Sequence, residues 1–269
     1  MALDALVDST QLDSDLTSVA NKIRQKSGGS SSLSFPNGFV GEIGNISGGG
    51  WVKTLSAVWD NTGLSVLTTD ALDDLRDRLT VTATYMDDTS ETVTGYALSG
   101  ILTAGTSTLT VTYGDKQTTF TVTVYQATDV TPELSAWVTS SNTTVTKNTS
   151  DGSMFVFTSS NGTWKQVSIS SMTFDEGYRY RMTADVEYFA GHILIGISSG
   201  SSVYISSAVQ QTSGRYVADG DAYANGANGL KMFITWSTSE AGRAVFRNIK
   251  LIKYSTATPD QALNLLMGE

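Results

Sequence analysis

TVTATYMDDTSETVTGYALSGILTAGTSTLTVTYGDKQTTFTVTV, residues 80–124, changes from apolar to polar at almost every step along three of its segments. Leu79, Val81, Ala83 and Tyr85 alternate with threonines up to the Asp87-Asp88 turn. Leu109, Val111 and Tyr113 alternate up to Gly114-Asp115, and Phe120, Val122 and Val124 follow. Successive side chains of a strand point to opposite faces, so this period of two predicts strands with one buried and one wet face. Just upstream, TTDALDDLRDRL breaks the alternation: Leu72, Leu75 and Leu79 fall at the spacing of a short helical turn between strands.

The same residues carry a resemblance. The Tyr-x-Asp-Asp turn at Tyr85–Asp88, the Tyr-x-Leu-Ser-Gly step at Tyr96–Gly100 and the closing Phe-Thr-Val-Thr-Val strand at Phe120–Val124 resemble the bacterial immunoglobulin-like family. The resemblance implies an immunoglobulin-like β-sandwich over 51–127, used as a spacer or a weak adhesion module, with no catalytic residues to carry over.

Beyond Thr128, Asp129 and Pro132 at least seven further strand-like runs follow, separated by Gly, Asn and Ser turns. In YRYRMTADVEY, residues 178–188, one face carries Tyr178, Tyr180, Met182, Ala184, Val186 and Tyr188. The other carries Arg179, Arg181, Thr183, Asp185 and Glu187, so one face is expected in the core and the other in water. This long strand, answered much later by AVFRNIKLIKY, resembles the jelly-roll sandwiches of carbohydrate-binding modules, a fold that also serves as a plain structural domain in virus particles. The second sandwich is placed at 128–256. Residues 257–269 form a last helix or a tail: Thr258 and Gln261 stand at capping-box spacing, and Pro259 sits at the first helical position.

Residues 1–50 read differently. Leu16, Val19, Ala20 and Ile23 share a helical face in DSDLTSVANKIRQKSGG, a helix expected to start near Asp13 and stop at Gly28-Gly29. After Pro36, Phe39, Ile43 and Ile46 share another, and Gly48–Gly50 makes a flexible joint. Two helices this short cannot bury enough apolar surface to stand alone, so these six large residues (Leu16, Val19, Ile23, Phe39, Ile43, Ile46) are candidates for an anchoring or oligomerisation interface. A helical cap on the next domain is the alternative. The LTSVANKIR helix, the SLSFPNGFV link and the closing Ile43-x-x-Ile46 resemble a short module of structural proteins from tailed bacteriophages of Gram-positive gut bacteria. That family usually has Ala where Gly41 or Gly44 stands here, which leaves the length of the second helix open.

The composition narrows the chemistry. A net charge of -9 without a basic run argues against nucleic-acid binding. The first residues are acidic where a secretion signal would be basic, and no segment is apolar enough to span a bilayer, so synthesis in a cytoplasm and no membrane insertion are expected. With no Cys and a single His, thiolate chemistry, disulfides and multi-histidine metal sites are excluded within one chain. Asp185 and Glu187 share a strand face roughly 7 Å apart, a spacing a glycosidase could use. Beside Arg179 and Arg181, surface ion pairs account for them more simply. Asp219, Asp221 and Asn225 in a glycine-rich loop lack the distant Glu of a calcium loop.

No catalytic residue, metal or cofactor is therefore expected. The candidate carbohydrate-binding residues are Trp164, Arg181, Glu187, His192 and Trp236: aromatics to stack on sugar faces, polar groups to bond hydroxyls. Together these readings describe a non-enzymatic virion accessory protein, on tail, baseplate or head, that presents an immunoglobulin-like spacer and a sandwich to host-surface glycans. Its expected partners are other phage structural proteins and further copies of itself, a trimer by analogy with phage appendages. A capsid decoration without a ligand and a bacterial surface adhesin are the alternatives. The adhesin would be expected to carry an export signal and a wall anchor.

Overall fold

In the computed structural model, which describes residues 9–27, 30–44, 52–86, 88–158, 165–199, 202–235 and 241–255, the chain is 53% strand and 15% helix, so its class is mainly β. By contacts it divides into two units. One holds 1–61, 72–101 and 108–121, and the other 62–71, 102–107 and 122–269.

Helix α1 (Ser9–Ser27) begins earlier than the Asp13 start expected from its caps, and α2 (Asn37–Gly44) is brief. Ala20, Ile23 and Phe39 form their small common core, with Leu16 and Leu33 packed against it and Phe35 edge-on to Phe39. The expected apolar face of the second helix is only partly used. Phe39 is 7% exposed but Ile43 is 53% exposed, because so short a helix touches its partner over a single turn. Ile46 and residues 257–269 lie outside the described residues.

The next strands are β1 (Val52–Trp59), β2 (Val66–Leu67), β3 (Leu79–Tyr85), β4 (Ser90–Thr92), β5 (Ala97–Ser99), β6 (Gly105–Tyr113) and β7 (Lys116–Tyr125). They form a three-stranded sheet, β1-β3-β4, and a four-stranded sheet, β2-β7-β6-β5, in which β2 runs parallel to β7. The period of two holds: Leu79, Val81, Ala83 and Tyr85 are buried while Thr80 is exposed, and Phe120, Val122 and Val124 are buried between exposed threonines. The acidic run folds as a 3-10 helix, Leu72–Arg78, that buries Leu75. Its arginines stack on aromatics, Arg76 over Tyr96 and Arg78 over Trp59, and Trp59 in turn stacks on Phe120.

The remaining strands are β8 (Ala127–Asp129), β9 (Val138–Thr139), β10 (Thr143–Asn148), β11 (Ser153–Thr158), β12 (Lys165–Ile169), β13 (Tyr178–Ala190), β14 (Leu194–Ser199), β15 (Ser202–Ser206), β16 (Gly214–Gly220), β17 (Gly229–Thr235) and β18 (Arg243–Ser255). One sheet runs β10-β11-β18-β13-β16, with β8 also on β18, and the other runs β15-β14-β17-β12-β9. Met154, Val156, Met182, Ala184 and Phe246 from the first meet Val167, Ile195, Ile197, Leu230 and Met232 from the second in one apolar core.

The outer face of β13 departs from expectation. It is not wet along its whole length, since Arg181 and Thr183 are 6% and 5% exposed. Leu67 and Ala127 pack with Ile252 and Tyr254 over this end of the sheet, with Tyr125 against them. Arg181 donates from Nε to Asp219 and from a terminal nitrogen to the Ser65 carbonyl at 2.7 Å, while its other terminal nitrogen lies 3.5 Å from Asp70. Covering residues must bring acceptors for a buried guanidinium, and these do.

Candidate functional site

The far end of the same outer face is open. β11 alternates Met154 and Val156 into the core with Phe155 and Phe157 outward, and its register on β18 places Phe155 opposite Val245 and Phe157 opposite Arg243. β18 pairs on its other edge with β13, Arg247 opposite Asp185 and Val245 opposite Glu187. Residues directly opposite in antiparallel strands project to the same side, so Phe155, Phe157, Arg243, Val245, Arg247, Asp185 and Glu187 share one surface. A register shift between Tyr188 and Ala190 adds Phe189, which is 47% exposed.

Two arrangements stand on this surface. The guanidinium of Arg243 lies 4.9 Å from the ring centre of Phe189 and 5.2 Å from that of Phe155. Beside it Arg247 contacts Glu187 at 3.2 Å and Asp151 at 3.6 Å, and Asn248 donates to Asp185 at 2.7 Å. Bonds from Ser153 hold the Asp151 carboxyl below its usual range, with Arg247 a lesser contributor. Exposed rings supply stacking area, and a rim of fixed charges supplies donors and acceptors, the combination a polar polymer needs for weak, oriented contact.

Of the five residues proposed from sequence, Glu187 lies on this face. Arg181 is on the same strand but enclosed under Ser65 and Asp70. His192 donates its backbone N–H to Ile234, and its Nε2 lies 3.2 Å from the Gln211 amide nitrogen. Trp164 and Trp236 lie outside the described residues. Sequence reasoning missed Phe155, Phe189 and Arg243: MFVF reads as a uniformly apolar strand, and the other two sit at ends of distant strands that only pairing brings together. Asp185 and Glu187, the spacing that invited a hydrolase reading, are engaged by Asn248 and Arg247. Asp219, read from sequence as part of a glycine-rich loop, stands on β16 facing Arg179 and Arg181, and in the turn after it Asp221 accepts from the Ala224 N–H. Among the described residues no cluster of His, Asp and Glu is placed to hold a metal ion, and no helix is long and apolar enough to cross a membrane.

Fold and surface together describe a modular β-sandwich protein. Within it, the family described as bacterial Ig-like domain (group 3) matches residues 70–124. Among solved structures the chain is similar to a carbohydrate-binding module titled "BiXyn10A CBM1 APO", with 16% identity, 45% of this chain and 89% of that chain covered, and a TM-score of 0.32. Comparison with curated proteins gives no match.

Proposed function

We propose that this chain is a non-enzymatic accessory structural protein of a tailed phage particle, carried on tail, baseplate or head, that uses an immunoglobulin-like spacer to display a glycan-contacting sandwich at the host surface. The observation that carries the glycan part is the open face of β11, β18 and β13, where exposed phenylalanines adjoin fixed arginines and carboxylates. Flat aromatic area with a polar rim suits a sugar polymer that lies on a surface and favours binding over turnover. The phage part rests on the resemblance of residues 13–46.

The reading of several copies per assembly draws its support from α1. Leu12, Leu16, Val19 and Ile23 recur at alternating steps of four and three, the spacing of a coiled-coil seam, yet α2 leaves Leu12 46% and Val19 49% exposed. A second copy is the natural cover for the exposed part of the stripe, Leu12 and Val19, and multiple copies multiply weak sugar contacts through avidity.

Immunoelectron microscopy of induced particles with an antibody against residues 127–269 tests the assignment. Label at the tail tip is the expected result and label over the head favours decoration. Unlabelled particles beside labelled cells overturn the virion reading in favour of a bacterial surface protein.

A further inference from the structure

On the footing of that glycan reading, we infer that the ligand of the open face is an anionic glycan, and that Arg243 is the group that recognises its oxyanion. Among the described residues Arg247, on the same face, is matched with Glu187 and Asp151, and at the opposite end of the sheet Arg179 is matched with Asp219 and Arg181 with Asp219 and Asp70. Arg243 contacts no carboxylate among these residues. Its guanidinium lies instead against two rings, Phe155 and Phe189.

A guanidinium packs its flat faces on aromatic rings while its N–H groups point outward in its own plane, where they match a carboxylate or phosphate two at a time. Held between rings, Arg243 is oriented before any ligand arrives, so little side-chain freedom is lost on binding. The setting sharpens the choice. A chain of net charge -9 repels polyanions at long range, so a surface cation that meets no carboxylate among the described residues creates a local exception.

The neighbouring position completes the site. Phe157 is directly opposite Arg243 across β11 and β18 and is 44% exposed. Side chains so paired stand roughly 5 Å apart at Cβ, which lets one sugar unit rest on the Phe157 ring while its own charged substituent meets Arg243. A uronic-acid carboxylate and a phosphodiester both present the required pair of oxygens.

Titration calorimetry on the full chain tests this with three probes: a polygalacturonate, a poly(glycerol phosphate) and neutral dextran. Binding of one or both anionic polymers and not of dextran is expected, and which of the two binds identifies the source of the oxyanion. Arg243→Gln weakens that binding by about tenfold or more, the loss of a charge-assisted pair of bonds. Arg243→Lys, which keeps the charge and loses the fork, recovers only part of it. Raising the salt from about 50 to about 500 mM weakens binding in the wild type and much less in Arg243→Gln. Far-UV dichroism confirms that the variants stay folded. Dextran bound as tightly as the anionic polymers, or Arg243→Gln binding like the wild type, overturns the anionic assignment and leaves the glycan reading standing. No binding to any of the three overturns both.

Discussion

Arg181 and Asp219 stand directly opposite each other on β13 and β16, Nε donating to a carboxylate oxygen at 2.8 Å with both side chains 7% exposed. The same carboxylate accepts from Arg179 at 3.0 Å and from the Tyr254 hydroxyl at 2.6 Å. Removing it takes from a buried guanidinium its closest carboxylate, leaving the Ser65 carbonyl and Asp70 at 3.5 Å, and removal of one partner of a buried pair typically costs about 3–5 kcal/mol. Asp219→Ala should lose stability of that order in urea unfolding. Adding Arg181→Met should restore part of the loss, since no buried cation is then left at that position. Arg179, with a 40% exposed side chain, contributes far less.

The glycines divide into two groups with opposite predicted effects. A Cβ on Gly191 would lie 2.2 Å from the Ile234 carbonyl oxygen, at a φ of +97° that L side chains avoid. Gly191→Ala should destabilise by about 2–4 kcal/mol, combining backbone strain with a forced shift of β17. At Gly41, inside α2, an added Cβ would meet nothing within 4 Å. Gly41→Ala should therefore stabilise the hairpin by about 0.5–1 kcal/mol, read as increased helical dichroism and a higher Tm.

Alkali should unfold the second unit. Burial, and then the bond to Asp219, raise the Tyr254 phenol, and burial likewise raises Tyr180 and Tyr216. An unfolded phenol titrates near 10. Above that pH the unfolded chain releases protons that the native state keeps, so stability is fully present below about pH 10 and falls as pH rises through the native values. Thermal melts should be flat between about pH 8 and 9 and drop beyond about 10. The tyrosinate absorbance of the buried phenols, over and above that of exposed tyrosines such as Tyr223, should appear together with unfolding, and Tyr254→Phe should show a shallower drop.

The α1 stripe separates folding from assembly. Ile23→Asp places a charge in the hairpin core and should abolish the helical signal. Leu12→Asp with Val19→Asp leaves that core intact and should lower the mass measured by light scattering toward that of a single chain. A wild-type chain that is already a monomer would remove the self-association reading.

How much of this was legible follows from how far each signal reaches along the chain. The alternation through Leu79–Tyr85 and Phe120–Val124, and the inward set Tyr180, Met182, Ala184 and Val186, are local consequences of strand geometry and could be read without a partner in view. So could the helical spacing around Leu16 and Ile23. The fate of Arg181 could not, because its acceptor at Ser65 lies 116 residues away and decides whether an outward arginine is wet or enclosed.

The open face was hidden for the same reason. Phe155, Phe189 and Arg243 become neighbours only through the register of β11 on β18 and the irregularity of β13 beside Phe189. Alternation along a strand determines which residues point together, and the amino-acid sequence alone was enough for that. Which strands lie side by side, and what covers their outer faces, depends on pairings between segments far apart in the chain, and only the tertiary structure decided those.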